Sequence, residues 1–417
     1  MQNRLLYSVV LCSSLLLFSC STNKNSNLVK ENFDFASKQF ATAFQEIDKA
    51  KLEEPEESRL RREKRGQGDL VSPRSIDEKG KLIMVPSRDW TSGFFPGELW
   101  YMYEFTKDSK WENLARNFTL PLEREKTNAG THDMGFKMYC SFGNGFRLTN
   151  DENYKNILLE SANTLIKRYK PHAKIIRSWD HNKDKWECPV IIDNMMNLEL
   201  LFWASKVSGD KKFYDIAVNH AETTMENHFR HDYSTYHVVD YDTITGNVIK
   251  RNTHQGFSHE STWSRGEAWA LYGYTMCFRE TKKDEFLQQA KNIAKFIFNH
   301  PNLPKDLIPY WDFDAPEIPN EPRDASAAAV IASALYELST YDSENSVKYK
   351  KWADTIVGNL SKKYRAKQDE SRGFLLLHST GGKSLNFEVD VPIVYADYYY
   401  LEALLRKQKL ESNGKLF

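Results

Sequence analysis

Two aspartates sit among neighbours that do not suit a solvated surface. Asp193 follows the apolar run Val190-Ile191-Ile192 and leads into Asn194-Met195-Met196-Asn197-Leu198. Asp133 lies in Thr131-His132-Asp133-Met134-Gly135-Phe136, directly ahead of an aromatic stretch. Apolar surroundings penalise the charged form of a carboxyl group and raise its pKa. A carboxylic acid that holds its proton near neutral pH is what general acid catalysis needs. Both residues also stand where a helix begins, and an aspartate there stabilises the first turn by about 1 kcal/mol with no chemistry involved. That capping reading competes for each residue alone. It weakens when both fall at the same end of inward-facing helices that also offer His132, Asn194 and Asn197.

A second cluster runs from His254 to Tyr274, HQGFSHESTWSRGEAWALYGY. It opens polar and turns into an amphipathic helix at about Trp263. Arg265 and Trp269 are four apart and share one helix face. Aromatic faces cover sugar rings, and a guanidinium fork binds carboxylates or hydroxyls in a plane. A core helix with buried tryptophans and Arg265 on its rim fits the same letters. Trp90, in the loop Asp89-Trp90-Thr91-Ser92-Gly93, is a candidate pocket wall, and His237 and Gln255 lie in loops ahead of the helix. Aromatics make up 13% of the chain, an excess that carbohydrate stacking would explain.

Several chemistries find no support. HExxH, GxSxG and Walker patterns are missing, which argues against zinc proteolysis, serine hydrolysis and nucleotide binding. Lys+Arg and Asp+Glu are both 57, a balance that argues against a nucleic-acid partner, which would want a basic face, but leaves room for a local basic pocket for an acidic sugar. Cys140, Cys188 and Cys277 show no metal spacing and read as buried thiols, with a disulfide as the alternative.

The frame that must hold these side chains is a repeat. An aromatic-rich helix ends in a short polar turn, usually with Asp, and a second helix follows with an aromatic near its start. Trp111, Tyr154, Phe213, Phe286 and Tyr349 mark that second helix. About twelve helices result, the last from roughly Val391 to Arg406. Helical hairpins of this length stack side by side. Six of them close into an all-α toroid, an (α/α)6 barrel, with an open solenoid as the alternative. Insertions between hairpins become loops at one end, where function collects. Tyr236–Lys250 and Gly373–His378 have strand character and suit small hairpins among those loops. Glu53–Lys79 reads as an exposed connection.

The N-terminus is a targeting segment. Arg4 precedes the apolar Leu5–Phe18, which is too short to be kept as a membrane span. Leu17-Phe18-Ser19-Cys20 looks like a bacterial lipobox. The expected organisation is a signal peptide over 1–19, lipidated Cys20 with a tether to residue 27, and one catalytic domain over 28–417. The only membrane contact would be the lipid anchor, on the periplasmic side of the outer membrane, with the cell surface as the alternative.

DWTSGFFPGELW, THDMGF, IIDNMMNLELLFWAS, STWSRGEAWALYGY, RDASAAAVIASALYEL and EVDVPIVYADYYYLEALLR, in that order from Asp89 to Arg406, together resemble glycoside hydrolase family 88, the unsaturated glucuronyl hydrolases. The resemblance implies an (α/α)6 barrel, no cofactor, and a substrate left by a polysaccharide lyase: a short oligosaccharide whose non-reducing uronic acid carries a C4=C5 double bond. It implies hydration of that vinyl ether. Asp193 matches the acid/base and Asp133 the second essential carboxylate. His132, His237, Gln255, Trp263, Arg265 and Trp269 match pocket positions, and Trp90 a wall. Ser379 and Lys383 fall where sulfate on the next sugar is read in such enzymes. The alternatives are an unsaturated rhamnogalacturonyl hydrolase on pectin fragments and a lipid-anchored sugar-capture protein without turnover.

Overall fold

The computed structural model describes residues 15–416, with side chains from Asn27 onward. The expected signal segment up to residue 14 and the Cys20 side chain lie outside the described residues. Among the described residues no helix is long and apolar enough to cross a membrane.

The chain begins with α1 (Leu15–Leu52) and α2 (Glu56–Lys64), followed by the hairpin β1 (Leu70–Ile76) and β2 (Leu82–Pro86). The stretch expected to be an exposed connection therefore holds a helix and the start of a strand pair. Next come α3 (Phe94–Thr106) and α4 (Ser109–Thr119), then a π-helical segment Gly135–Gly143 that runs into α5 (Asn144–Thr149), and α6 (Glu152–Leu165). The short strands β3 (Tyr169–Lys170), β4 (Ile175–Ile176) and β5 (Pro189–Ile191) lead to a 3-10 turn, Ile192–Asn197, and to α7 (Leu198–Ser208) and α8 (Lys211–Asn227). After β6 (Val238–Tyr241) and β7 (Val248–Asn252) come α9 (Ser264–Thr281), α10 (Asp284–Asn299), α11 (Ala325–Leu338), α12 (Ser346–Asn359) and α13 (Val394–Asn413).

The hairpins α3/α4, α5/α6, α7/α8, α9/α10 and α11/α12 stand side by side. Helix α13 packs between α11 and α3, and α1 covers it, so the sixth pair joins the two ends of the chain and closes the ring. The fold is an (α/α)6 barrel. The inner helices α9 and α11 are buried all round over most of their length, as a helix without a polar face must be. Every residue of α11 is buried, and its alanines allow close approach to α9 and α13. The outer helices bury one stripe only; in α10 it is Phe286, Gln289, Ala290, Ile293, Ala294 and Ile297.

The repeat has a local cause. Three inner helices end on a left-handed residue, Lys107, Asn150 or Gly209, and the next residue is an aspartate. Asp108, Asp151 and Asp210 each accept a hydrogen bond from the backbone N–H two residues on, which caps the outer helix. The aromatic third from the cap then turns inward: Trp111, Tyr154 and Phe213 are buried, as are Phe286 and Tyr349 in the other two hairpins. These tight turns occupy one end of the barrel. The long connections gather at the other end, where the inner helices begin. One of them forms the antiparallel sheet β5-β6-β7. The Gly373–His378 stretch is not a strand; only Leu376 pairs, with Arg365, and the Leu375 and Leu376 N–H groups donate to Asp397. Cys140, Cys188 and Cys277 are buried free thiols.

Candidate active site

Asp193 lies in the turn between β5 and α7, at the mouth end of an inner helix. It does not cap: no side-chain bond closes that helix start. Its residue is 7% exposed, and Oδ2 has no hydrogen-bond partner. Burial pushes its pKa up to about 7, and the charge of Asp133 adds to this. Arg265, a backbone N–H of the turn and the Trp269 indole pull the other way without cancelling it. The result is an acid that keeps a proton near neutrality.

The small sheet sets His237 against it. Ile191 pairs with Val238, and the Ile192 N–H donates to the His237 carbonyl at 3.1 Å. The backbone N–H groups of His254 and Gln255 both donate to His237 Nδ1 at 3.1 Å. Nδ1 is thus the acceptor and Nε2 carries the hydrogen. Nε2 faces Asp193 Oδ2 at 3.6 Å, and burial holds the imidazole well below its ordinary pKa, so it is a neutral donor. His132 has the opposite tautomer. Its Nδ1 lies 2.7 Å from the Ser178 carbonyl, which only accepts, so Nε2 is left as an acceptor 3.3 Å from Asp133 Oδ1. Asp133 Oδ2 accepts from the Thr131 hydroxyl at 2.7 Å. Gly135 lets this segment approach the turn that carries Asp193: a Cβ there would sit 2.7 Å from the Asn197 Cα.

The aromatic walls meet at the same place. The Trp263 ring lies 4.6 Å from the His237 ring. Trp90 is half-buried against Phe94, Phe136 and Tyr395. Trp269 is fully buried, with its ring on Phe136 and Tyr399. It gives the site an N–H edge rather than a stacking face. Nε1 of Trp179 and Trp263, Nε2 of His132 and His237, and Asp193 Oδ2 are all buried without a hydrogen-bond partner. Buried polar atoms are almost always bonded. This concentration of orphans is the signature of a site that completes its bonds with a substrate.

Four of the expected site residues are bonded within the protein. The fork of Arg265 is engaged within the protein: it donates to Asp324 at 2.7 Å and to the carbonyls of Thr380 and Gly381 at 2.6 and 2.5 Å. It anchors the 378–391 strap over the mouth, and its charge reaches Asp193. The Gln255 amide likewise donates to Gly381 at 2.9 Å. Lys383 is neutralised by the buried Glu321 at 2.5 Å, and Ser379 is fully buried with its backbone paired to Val391. Sequence reasoning missed Trp179, and also Glu267, whose carboxylate accepts from the N–H and hydroxyl of Thr235, two residues before His237. Nothing local in the sequence marks these contacts. Among the described residues no group of three or more His, Cys, Asp or Glu side chains gathers to hold a metal ion.

A cavity of about 370 Å³ lies at the far end of the barrel. Phe136 and Tyr399 line it and carry Trp269 on their other side. Its acids are paired. Arg279 donates to Glu337 at 2.9 and 3.0 Å and to Glu280 at 2.9 Å, and it also reaches Glu199. Arg406 meets Glu337 at 3.0 Å and Glu402 at 3.3 Å. Burial acts against the charge on Glu104, yet Arg147 and Lys409 hold its pKa down to about 2.

Comparison with known proteins agrees with this geometry. Residues 73–404 match Glycosyl Hydrolase Family 88. The chain is 54% identical over 341 residues to an unsaturated glucuronyl hydrolase of Formosa agariphila, covering 81% of this chain and 85% of that one. It is 34% identical to an unsaturated glucuronyl hydrolase of Bacillus sp. GL1, covering 81% and 91%. The crystal structure of an unsaturated glucuronyl hydrolase specific for heparin superimposes with a TM-score of 0.82 at 46% identity, covering 92% of this chain and all of that one.

Proposed function

The chain belongs to glycosyl hydrolase family 88, and from that premise we propose that it removes the 4,5-unsaturated uronic acid from the non-reducing end of lyase-generated oligosaccharides of the glycosaminoglycan type, by hydrating the C4=C5 bond. The observation that carries this reading is Asp193: a buried carboxyl with one bare oxygen and a pKa of about 7, faced by the His237 N–H at 3.6 Å.

In this reading the Asp193 carboxyl transfers its proton to C4, and positive charge develops at C5 and the ring oxygen. The new carboxylate is stabilised by the Arg265 charge and the Trp269 N–H. It then takes a proton from the water that adds at C5, which restores the acid within one cycle. The resulting hemiketal opens to a ketone, and the glycosidic oxygen leaves with a proton. This differs from the two-carboxylate displacement at the anomeric carbon. Asp133 accepts hydrogen bonds from ring hydroxyls, and the neutral His237 orients Asp193. The test is the ultraviolet absorbance of the double bond in an unsulfated unsaturated chondroitin disaccharide. The wild type should remove it and Asp193→Asn should not. Sugar release with the absorbance intact would refute hydration.

The Arg4, Leu5–Phe18 and Cys20 pattern supports a lipoprotein, in our reading held at the outer membrane and facing the periplasm, and the unsaturated substrate of this reading puts it after a lyase. Labelling with radioactive palmitate should mark the wild type and not Cys20→Ser; equal labelling would refute the anchor.

A further inference from the structure

We propose that the edge of the pocket formed by Trp179, His181, Lys185 and His254 binds an oxyanion carried by the sugar that follows the unsaturated residue. This rests on the proposed function and adds the chemical class of the second sugar.

The edge is built onto the site. The Ser178 carbonyl accepts from His132, and the Ser178 hydroxyl accepts from the Ile191 N–H at 3.0 Å, two residues before Asp193. On the other side the His254 N–H donates to His237. Trp179 and His254 therefore flank the two groups that face the reacting carboxylates.

The chemistry of the edge is one-sided. Trp179 is 8% exposed, and its indole N–H has no partner. The exposed His181 stacks on its ring, with centroids 5.3 Å apart and planes at 19°. His254 stands 5.6 Å from the same ring and 5.8 Å from that of Trp186. After burial, the groups that push the His254 pKa down are His181 and Lys185, so all three share one small region. The Lys250 ammonium donates to the Lys185 carbonyl and adds a further positive charge.

The nearby carboxylates are turned elsewhere. Asp180 meets Arg168 at 2.8 Å and Arg177 at 3.2 Å. Glu187 accepts from the Thr243 N–H at 3.2 Å, and Asp240 accepts from the Glu187 and Cys188 N–H groups. Asp184 is exposed to solvent. A buried N–H, two imidazoles and an ammonium then share this edge, and among the described residues no carboxylate is hydrogen-bonded to any of them. Sulfate and carboxylate are the groups that satisfy several such donors at once. The alternative reader of charge, Lys383, is already neutralised by Glu321.

The test compares three unsaturated disaccharides whose second sugar is neutral, sulfated or itself a uronate. Wild type, His181→Asn, Lys185→Gln and Trp179→Phe are assayed at one pH and ionic strength. Loss of a charge-assisted contact should lower the anionic-to-neutral ratio of kcat/KM by about tenfold, mainly through KM. A fall with the sulfated substrate alone assigns the edge to sulfate, and a fall with the uronate alone assigns it to carboxylate. Ratios that match the wild type in all three variants overturn the inference while leaving the hydrolase intact. A wild type that turns over none of the three overturns the functional reading itself.

Discussion

Asp193 at the mouth and Glu104 at the far end have the same side-chain exposure, 10%. Asp193 has an oxygen without a partner, and its pKa rises to about 7; Glu104 is gripped by Arg147 and Lys409, and its pKa falls to about 2. The same barrel buries carboxylates at both ends, but Asp193 at the mouth keeps a bare oxygen while Glu104 at the base is held by two cations. A cavity of about 370 Å³ belongs to the ion-paired end, so a cavity by itself does not mark the reactive one. What separates a reactive end from a structural one here is unpaired polarity. An unpaired buried acid costs stability in the resting protein and becomes useful when it meets a substrate.

Asp193→Asn should break the mouth and leave the base alone. Activity should fall about 10³-fold, within the range of general acid catalysis. Stability should move the other way. The folded pKa is raised, so the folded protein binds more protons than the unfolded one between the ordinary aspartate value and about 7, and stability falls as pH rises through that window. Asparagine removes this penalty. The Tm advantage of the variant should be absent at pH 4 and grow to pH 8, where it corresponds to about 1–4 kcal/mol. A constant difference in thermal melts would contradict the burial argument.

Arg279→Met should do the reverse. It strands Glu199, leaves Glu337 with Arg406 alone and Glu280 with Lys206 alone, and should cost about 3–5 kcal/mol in denaturant unfolding. The kcat of the folded fraction should stay within about twofold, as for distant independent sites. A matching collapse of kcat would show that the two ends are coupled.

Asp133→Asn should reduce kcat/KM about 10–100-fold through lost charge-assisted contacts. Because the Asp133 charge raises the Asp193 pKa, the falling limb of the pH profile, near 7 in the wild type, should move to lower pH. Trp269→Phe should move that limb upward by a few tenths of a pH unit, since the indole N–H favours the charged form. Either limb moving the opposite way would contradict the assignment.

The ring of hairpins was legible because its signal is local. A left-handed stop, an aspartate cap and an inward aromatic recur within a few residues, as at Lys107, Asp108 and Trp111. Asp193 was legible because its apolar flanks predict burial. The contacts that decide its partners were not. His237 reaches it through the pairing of Ile191 with Val238, which no turn signal announces. Arg265 reads as a substrate clamp from its spacing to Trp269, yet Asp324 and the carbonyls of Thr380 and Gly381 hold its fork, up to 116 residues away. The orphan N–H of Trp179 depends on what fails to pack against it, which is a property of the folded chain alone.

The most direct test of the account is the order of events in a single turnover at pH 6. Stopped-flow absorbance would follow the C4=C5 bond of an unsaturated disaccharide, and rapid quenching would follow release of the second sugar. If Asp193 protonates C4, the absorbance disappears before or together with sugar release, and both are lost in Asp193→Asn. Release of the sugar ahead of the absorbance change would contradict the account and move the chemistry to the anomeric carbon.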